Sequence, residues 1–489
     1  MTISFDEIPY DWLKPGTLVE VKPNYDRVGA IPYPARALLV CPKLAAGTAA
    51  ALALHRITRA DQGRALFGAG SIGAQMVEAF KAANKTTDVY AIGVADDETG
   101  VAATGSFTFA GAGAGPLALY VGRVRIPLAI TAGMTAAQMA TAAAAAINAI
   151  PELPVTAAAA LAVTTVTARN KGETGNAIQL KVARRVDDTV PAGITVTVAA
   201  MSAGANNPDI QDVLDAIAAE RFSGIVVPWD DATTLSALAA DLAGRYVAGA
   251  NKDGHAYVGH AGTFGALTTK GGLTNSPHIT GVGLKGAPSA PWEIAASLAG
   301  VAEFQLANDP ARQLRGLVLP DVEAPAAADQ FTDTEQDLLL KGGVTTLNCA
   351  ADGTVVIDRV VTTYKISSLG VPDRAWLDIM VPKTMSRLRW DWASYVTLMY
   401  PRHKLADDGS VAAEADTSGV VVMPKRMLGS WAARCRLYEE LGWIEGAKDT
   451  VRQSAFERDA SDRNRLNARQ QVRIIGNLMV LAASLEFQV

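Results

Sequence analysis

The stretch FTDTEQDLLLKGGVTTLNCAADGTVVIDRVVTTYK, residues 331–365, contains the clearest folding signals of the chain. Thr332 and Glu335 stand three positions apart, in the spacing of a helix capping box, and Gly342 follows the helical run. Two runs rich in valine and threonine then flank Asp352-Gly353, a dipeptide that favours a tight hairpin turn. The stretch therefore predicts a helix followed by a β-hairpin.

Upstream of this stretch, apolar strand-like runs alternate with helical periodicity. Residues 25–96 have a βαβ-like pattern, which resumes over residues 204–330. Residues 97–203 are rich in Ala, Gly, Thr and Val and are typical of short strands around one helix. We therefore predict a multidomain α+β or α/β fold, with a discontinuous α/β domain (25–96 and 204–330), an inserted β-rich domain (97–203) and a C-terminal α/β domain (331–475).

Both ends of the sequence carry short alternating runs. Ile3 and Phe5 alternate with polar residues, and so do Leu485, Phe487 and Val489. A lone edge strand is marginally stable, because its unpaired N–H and C=O groups need partners. Residues 1–24 and 476–489 are therefore predicted to be strand arms. Each arm pairs either within its own domain or with a neighbouring chain by strand addition.

Composition excludes several classes of protein. The 489 residues are 49% hydrophobic and 19% charged, as in an ordinary folded protein of about three domains. A net charge of -5 gives no bias towards nucleic acid or an anionic membrane. The three cysteines are far apart in sequence, which is typical of reduced thiols. With no secretory signal or membrane-spanning run visible, we expect a soluble protein made in a cytoplasm.

One glycine motif suggests an enzyme. The stretch LFGAGSIGAQM, residues 66–76, contains Gly68, Gly70 and Gly73 in the spacing of a dinucleotide-binding loop. Such a loop follows a buried strand directly, whereas the residues before Gly68 are polar and helix-like. We therefore interpret the motif as a turn into a helix that Ser71 caps. A nucleotide-dependent α/β enzyme is kept as a distant alternative.

The sequence contains no other catalytic or ligand pattern. Its five histidines form no metal-ligand cluster, and neither HExxH nor a Gly-x-Ser-x-Gly elbow occurs. We therefore predict that the protein is not an enzyme and has no catalytic residue, cofactor or metal site.

A charged stretch near the end suggests a docking surface. Residues 448–476 hold seven basic and four acidic side chains, and only basic ones follow Asp462. A solvated helix face is one interpretation. The other is a surface for an acidic protein partner, to which Arg463, Arg465 and Arg469 offer bidentate contacts.

Several motifs in order resemble the contractile tail sheath proteins of Mu-like myophages. They are DPARQLRGLVLPDVEAP, the stretch quoted first, and PDRAWLDI. FGAGSIGAQMVEAF, KGETGNAIQL and FERDASDRNRLN also follow the family order, so the resemblance covers nearly the whole chain.

This resemblance implies a structural and mechanical role. Sheath subunits polymerise as a helical array of rings, usually hexameric, around a tail tube, and contraction drives the tube through the host envelope. The implied partners are further copies of the chain, the tail tube protein, and the baseplate and tail terminator proteins, with no nucleic acid and no membrane. The implied location is the virion tail, after assembly in the host bacterial cytoplasm. The sheath of a bacteriocin-like or secretion device is an alternative.

The resemblance also implies roles for particular residues. The C-terminal domain becomes the inner sheath core, and the inserted domain faces outward. Ile3 and Phe5, and Leu485, Phe487 and Val489, become arm residues that add strands to sheets of neighbouring subunits. Arg463, Arg465 and Arg469 become candidates to face an acidic tube surface.

Overall fold

The computed structural model describes residues 13–19, 29–417 and 419–487, and these form two compact units. The larger unit holds the described residues of Pro34–Leu388 and Ile474–Val489. The smaller unit holds those of Met1–Tyr33 and Arg389–Arg473. Ile3, Phe5 and Val489, three of the predicted arm residues, lie outside the described residues.

The larger unit alternates strands and helices over most of its length. Its strands are β1 (Arg36–Pro42), β2 (Leu54–Ile57), β3 (Asp88–Val94), β4 (Thr104–Gly111), β5 (Gly115–Val121), β6 (Val124–Ile130), β7 (Val155–Ala160), β8 (Val163–Ala168), β9 (Leu180–Val182), β10 (Ile194–Ser202), β11 (Gly224–Val227), β12 (Ala256–His260), β13 (Ile279–Gly283), β14 (Val318–Glu323), β15 (Val344–Cys349) and β16 (Thr354–Arg359). Its helices are α1 (Gln62–Phe67), α2 (Ile72–Ala83), α3 (Ala136–Asn148), α4 (Gln211–Ala216), α5 (Ala232–Tyr246), α6 (Phe264–Gly272), α7 (Pro291–Asn308) and α8 (Asp333–Lys341), and α9 (Met380–Met399) begins in this unit.

A nine-stranded sheet forms the centre of the larger unit, in the order β14-β16-β15-β13-β12-β11-β1-β3-β2. The six strands from β15 to β3 in this order run parallel. Strand β1 is buried on both faces: Leu39 and Cys41 pack with residues of α2 and α7, and Leu38 and Val40 pack with residues of α4 and α5. Because helices cover both faces of the sheet, both faces of these strands are apolar, and their sequences are continuous apolar runs. The mixed α/β multidomain fold is as predicted.

The helix and β-hairpin predicted from residues 331–365 are present, and the hairpin strands belong to this central sheet. Thr332 accepts a hydrogen bond from the Glu335 amide, so α8 begins at the predicted capping box. Strands β15 and β16 pair antiparallel, and β15 pairs parallel with β13. The compact unit that holds this hairpin extends to Leu388. Pairing of β15 with β13 is a long-range contact, which the local signals of a hairpin do not reveal.

Strands β4 to β10 build two sheets separate from the central one. The first has the order β10-β4-β8-β7, and the second has the order β6-β5-β9. Helix α3 packs on the first sheet through buried Met139, Ala143 and Ile147. Thr135 and Gln138 form the capping box of α3, the helix expected among the strands of residues 97–203.

The smaller unit contains the second half of α9 together with short elements. They are β17 (Lys404–Leu405), α10 (Val411–Glu414), β18 (Val421–Val422), α11 (Pro424–Glu440), α12 (Ala447–Gln453), β19 (Ala455–Arg458) and β20 (Leu466–Arg469). Trp431, Cys435 and Tyr438 of α11 are buried, and their helical spacing places them on one face of the helix. Asp391 of α9 is fully buried and accepts hydrogen bonds from the Arg434 guanidinium, the Tyr438 hydroxyl (2.6 Å) and the Ile31 amide (2.7 Å).

A buried polar network lies under the central sheet of the larger unit. The carboxylate of Glu303 on α7 accepts hydrogen bonds from the Tyr257 hydroxyl (2.8 Å) and the Ser223 hydroxyl (2.7 Å). Lys383 on α9 forms an ion pair with the same carboxylate and donates to the Ser223 carbonyl at 2.7 Å. The side chains of Glu303 and Lys383 are only 3% and 10% exposed. A Cβ atom at Gly224 would lie 2.5 Å from the Glu303 carboxyl carbon, so the network also requires glycine there.

His255, beside this network, makes the larger unit sensitive to acid. The Thr280 hydroxyl donates to the Val361 carbonyl at 3.0 Å, so its oxygen accepts the Nε2–H of His255 at 2.8 Å. Nδ1 of His255 is therefore unprotonated, and it has no hydrogen-bond partner among the described residues. Burial, with the positive charges of Lys383 and His278, holds the pKa of His255 well below its usual 6.5.

The unfolded chain binds a proton at His255 more readily than the folded chain does. The folded state is therefore fully stable with respect to His255 above pH 6.5, and it loses stability as the pH falls below that value. Each pH unit below 6.5 is expected to cost up to about 1.4 kcal/mol until the folded-state pKa is reached. Urea unfolding of the full chain at pH 7 and pH 5 measures this loss. The variant His255→Gln keeps an amide donor for Thr280 but does not titrate, so its loss is expected to be smaller. An equal loss in both proteins would place the acid sensitivity elsewhere.

Candidate assembly surfaces

The glycine motif at Gly68–Gly73 is a packed turn at the start of α2. Gly68 and Gly70 have φ of 92° and 76°, which favour glycine. A Cβ atom at Gly70 would lie 2.3 Å from the Leu153 carbonyl oxygen, and one at Gly73 would lie 2.6 Å from the Cys41 Cβ. The helix α1 precedes the turn where a nucleotide-binding loop needs a buried strand. Positive φ at Gly68 and Gly70, and close packing at Gly70 and Gly73, therefore account for all three glycines.

The start of α2 already has acceptors from the protein itself. Ser71 accepts from the Ala74 amide at 3.0 Å, so it is the predicted cap. The Ile72 amide donates to Oδ1 of Asn170, which follows β8, at 3.0 Å. These are two of the N–H groups that a phosphate would use in a nucleotide-binding loop.

The crevice beside this turn is also filled by the chain. Asp96 follows β3 at the carboxyl end of the parallel sheet, the edge at which open α/β folds bind ligands. Its carboxylate accepts from the Asn170 side chain and the Lys171 amide, both at 3.0 Å. Burial is the main reason that the pKa of Asp96 lies above its usual value. The residues that follow β8 thus occupy the place of a nucleotide.

Two further findings concern the part of the chain that the structure describes. No helix there is both long and apolar enough to cross a membrane. No group of three or more His, Cys, Asp or Glu side chains there is arranged to hold a metal ion.

The last described residues leave the larger unit after a short attached stretch. Asn477 donates to the Ala311 carbonyl at 2.9 Å and accepts from the Gln313 amide at 3.1 Å. Gln313 also donates to the Leu478 carbonyl at 3.1 Å, and Met479 packs against the core. These contacts hold the chain in place up to Met479.

Beyond Met479, the C-terminal segment (residues 480–487) is exposed. Within the described residues it forms no helix, no strand and no hydrogen bond. Its large apolar side chains Val480, Leu481, Leu485 and Phe487 are 79%, 80%, 99% and 85% exposed. Two of the predicted arm residues, Leu485 and Phe487, therefore have no covering surface in the described part of the single chain.

The predicted charged surface forms a two-stranded ribbon, β19–β20, and not a helix face. Helix α12 ends at Gln453, and β19 then pairs antiparallel with β20. The reversal depends on Asp459, whose carboxylate accepts from the Ser461 and Asp462 amides at 2.9 and 3.0 Å and from the Asn467 side chain at 2.8 Å. The Ser461 hydroxyl also donates to this carboxylate at 2.6 Å. That bond, together with the others, holds the pKa of Asp459 well below its usual value.

The three candidate arginines are exposed on this ribbon. Arg463 and Arg465 lie together in the loop that joins the strands, and Arg469 ends β20. Four residues of strand separate Arg469 from Arg465 by about 13 Å. Arg465 donates to the Asn467 side chain at 2.8 Å, so its guanidinium is partly oriented. Arg465 also lies 4.0 Å from the Asp459 carboxylate, with which it forms an ion pair. The ribbon therefore presents Arg463 and Arg465 side by side, and Arg469 further along.

Comparison with known proteins identifies the family. Residues 203–363 match the phage tail sheath protein central domain. The chain is 31% identical, over its whole length and the whole length of the relative, to the Mu-like prophage FluMu tail sheath protein of Haemophilus influenzae. The chain belongs to the phage tail sheath protein family. The resemblance drawn from the ordered sequence motifs is thus confirmed.

Solved structures with a related shape include two sheath tail proteins. The one from Desulfitobacterium hafniense has a TM-score of 0.48 and 10% identity, covering 94% of this chain and 100% of that one. Lin1278 from Listeria innocua has a TM-score of 0.49 and 12% identity, covering 92% and 93%.

Sequence reasoning missed two features of this tail sheath protein. It did not predict α9, whose first turn contains Pro382 and whose later turns carry aromatic and β-branched residues with weak helix propensity. It also did not predict the two strands of the ribbon, because the alternation in AFER and LNAR is only four residues long. The Asp459 turn, a carboxylate before polar residues, was the available signal.

Proposed function

We propose that this chain is the structural subunit of a contractile phage tail sheath. Copies polymerise as a helical array of hexameric rings around the tail tube, and contraction drives the tube through the host envelope. The array also binds baseplate and tail terminator proteins, and it is assembled in the host bacterial cytoplasm as part of the virion. One observation carries the proposal: a member of the tail sheath family leaves the apolar side chains of its C-terminal segment uncovered.

Strand addition between copies explains the exposed segment. Eight residues in extended form reach about 26 Å, far enough to pair outside their own unit. The β19–β20 ribbon is the acceptor we favour, because two strands alone are marginally stable and both outer edges have unpaired backbone groups. Leu485 and Phe487 then cover one face of the enlarged sheet. Val489, and Ile3 and Phe5 near the other end of the sequence, are proposed to have the same arm role.

Such links suit an assembly that moves without a nucleotide. Subunits of a metastable array reorient as nearly rigid bodies towards a state with more contact. Main-chain hydrogen bonds to an exchanged strand persist during this reorientation, so the rings stay connected. A head-to-tail interface that does not close produces a helical array.

Negative-stain microscopy of the purified full chain tests the proposal. We expect tubes or empty sheath polymers at high protein concentration. Discrete closed oligomers, together with a rise in melting temperature on adding a nucleotide, would instead support an α/β enzyme and overturn the sheath function.

The arginines of the ribbon are proposed to face the tube. Reversing Arg463, Arg465 and Arg469 to Glu is expected to reduce decoration of purified tubes at least tenfold. The resemblance implies an acidic tube surface, which would attract the three arginines but repel the three glutamates that replace them, a change of six charge units. Empty polymers are expected to form normally, and counting decorated tubes by microscopy separates the two effects.

A matched control uses three exposed cations of the same unit that lie outside the ribbon. The triple change of Arg402, Arg436 and Lys448 to Glu alters the net charge by the same amount. It is expected to leave most decoration intact. Equal loss in both triple variants would show a general charge effect and exclude the ribbon as the tube-facing surface.

A further inference from the structure

A hairpin tip of the larger unit (residues 366–372) carries exposed apolar side chains. Ile366, Leu369 and Val371 are 44%, 85% and 54% exposed. The tip sequence ISSLGVP has no charged residue, although Lys365 precedes it and Asp373 follows it. Scattered single apolar residues are ordinary on a protein surface, but three on one projecting turn form a candidate contact.

The tip is held in a fixed shape. The Ser367 amide donates to the Val371 carbonyl at 2.9 Å, and Ile366 forms a β-bridge with Pro372. Asn275 fixes the base, because its side-chain oxygen accepts from the Ile366 amide at 3.0 Å and its amide donates to the Ile366 carbonyl at 2.7 Å. A preorganised turn loses little conformational entropy when it binds.

The tip extends from the amino edge of the parallel sheet. Thr363 lies just before the tip in the sequence. Its amide donates to the carbonyl of Ile279, the first residue of β13, at 2.9 Å. Thr363 also accepts from the Ser276 amide, in the loop before β13, at 3.0 Å.

A cleft of about 640 Å³ opens at the opposite, carboxyl edge of the same strands. Its lining includes Pro228 after β11, His260 at the end of β12 and Leu284 after β13. Leu180 and Val198 of β9 and β10 line the other side. A volume in this range accommodates a side chain together with the turn that carries it.

The charges deepest in the cleft are paired with each other, since Asp230 accepts from His260 Nδ1 at 3.1 Å and from Lys270 Nζ at 3.0 Å. Glu173 and Lys181 also line the cleft and are exposed. An uncharged tip brings no further charge into the cleft that would need a partner.

We propose that the hairpin tip of one copy inserts into this cleft of the next copy in the sheath, with Leu369 as the central side chain. Because the tip and the cleft lie at opposite edges of one sheet, each copy has one free tip and one free cleft. This contact is head-to-tail and does not close on itself, so it propagates an open array. The inference rests on the proposed sheath function and names one contact within it.

A tip of seven residues buries much less than the roughly 800 Å² per partner of a stable protein complex. A single contact therefore does not hold a dimer in solution. Repeated through an array whose copies are also linked by strands, many such contacts act together.

The variant Leu369→Asp tests the tip. We expect it to raise the protein concentration at which polymers pellet by at least tenfold, with an unchanged melting curve because the side chain is exposed. The matched control is Leu161→Asp, since Leu161 is 88% exposed in the same unit but far from the tip in sequence. Equal pelleting of Leu369→Asp and the unaltered chain would overturn the inference.

Cross-linking tests the cleft. Polymers formed from a mixture of Leu369→Cys and Ala287→Cys, the latter at the cleft, are expected to form a disulfide-linked dimer that neither variant forms alone. Dimers of Leu369→Cys alone, or links from it to a different protein, would assign the tip another partner and overturn the proposal. If the unaltered chain forms no polymers at all, the proposed function itself fails. If the unaltered chain polymerises but both tests are negative, only the contact between tip and cleft is excluded, and the sheath function stands.

Discussion

Replacing Glu303 by leucine is expected to lower the free energy of unfolding of the larger unit by about 3–5 kcal/mol. Lys383 would keep its positive charge in a site where it is 10% exposed, with only the Ser223 carbonyl left to accept from it. The hydroxyls of Tyr257 and Ser223 would lose their acceptor as well. Urea unfolding of the full chain, followed by circular dichroism, measures the effect on the transition of this unit.

The double variant Glu303→Leu, Lys383→Met tests whether the lone charge of Lys383 causes the loss of stability. Replacing both partners by apolar side chains removes the lone charge, so most of the lost stability is expected to return. Breaking the exposed pair of Arg56 and Asp88 by Asp88→Ala is expected to leave the unfolding midpoint nearly unchanged. A Glu303→Leu protein as stable as the double variant would mean that water reaches Lys383 and that the network is not closed.

Local signals in the sequence predicted the local structure well. The capping box at Thr332 and the turn at Asp352-Gly353 depend on residues only a few positions apart. Their side chains act on their own backbone, so sequence spacing is enough to find them. The family assignment followed for a similar reason, since ordered motifs do not require contacts to be known.

Contacts between residues far apart in the sequence could not be predicted from sequence spacing. Glu303 and Lys383 are 80 positions apart, and each alone resembles a solvated charge on a helix. The packed surroundings of Gly70 depend on Leu153 in a different part of the fold. The placement of β15 beside β13 likewise depends on which sheet edge is free.

The candidate surfaces were only partly predictable. The alternation at Leu485 and Phe487 indicated strand-forming residues, but the pattern is the same whether the partner strand is in the same chain or another. The structure adds that this segment leaves the unit after Met479 with its apolar side chains exposed. No pattern in the sequence indicated an exposed apolar tip at Leu369, because the exposure of an apolar side chain depends on the surrounding fold.

Deleting residues 484–489 is expected to abolish polymerisation while leaving a folded monomer. The deletion removes Leu485 and Phe487, which are 99% and 85% exposed, and no hydrogen bond within the described residues. The fold therefore loses almost nothing, whereas an exchanged strand loses its main-chain hydrogen bonds and both apolar contacts. Circular dichroism measures folding, and negative-stain microscopy at matched concentrations measures polymer formation.

Two substitutions in the full chain separate side-chain contacts from chain length. Changing Leu485 and Phe487 to Ser is expected to weaken assembly strongly, because these residues lie on one face of the added strand. Changing Ser484 and Glu486 to Ala, on the opposite face, is the matched control and is expected to leave polymers intact. If the truncated chain unfolds, the segment is instead an intramolecular strand of its own unit. If it polymerises normally, strand addition by this end is excluded, and the links between rings must come from other surfaces.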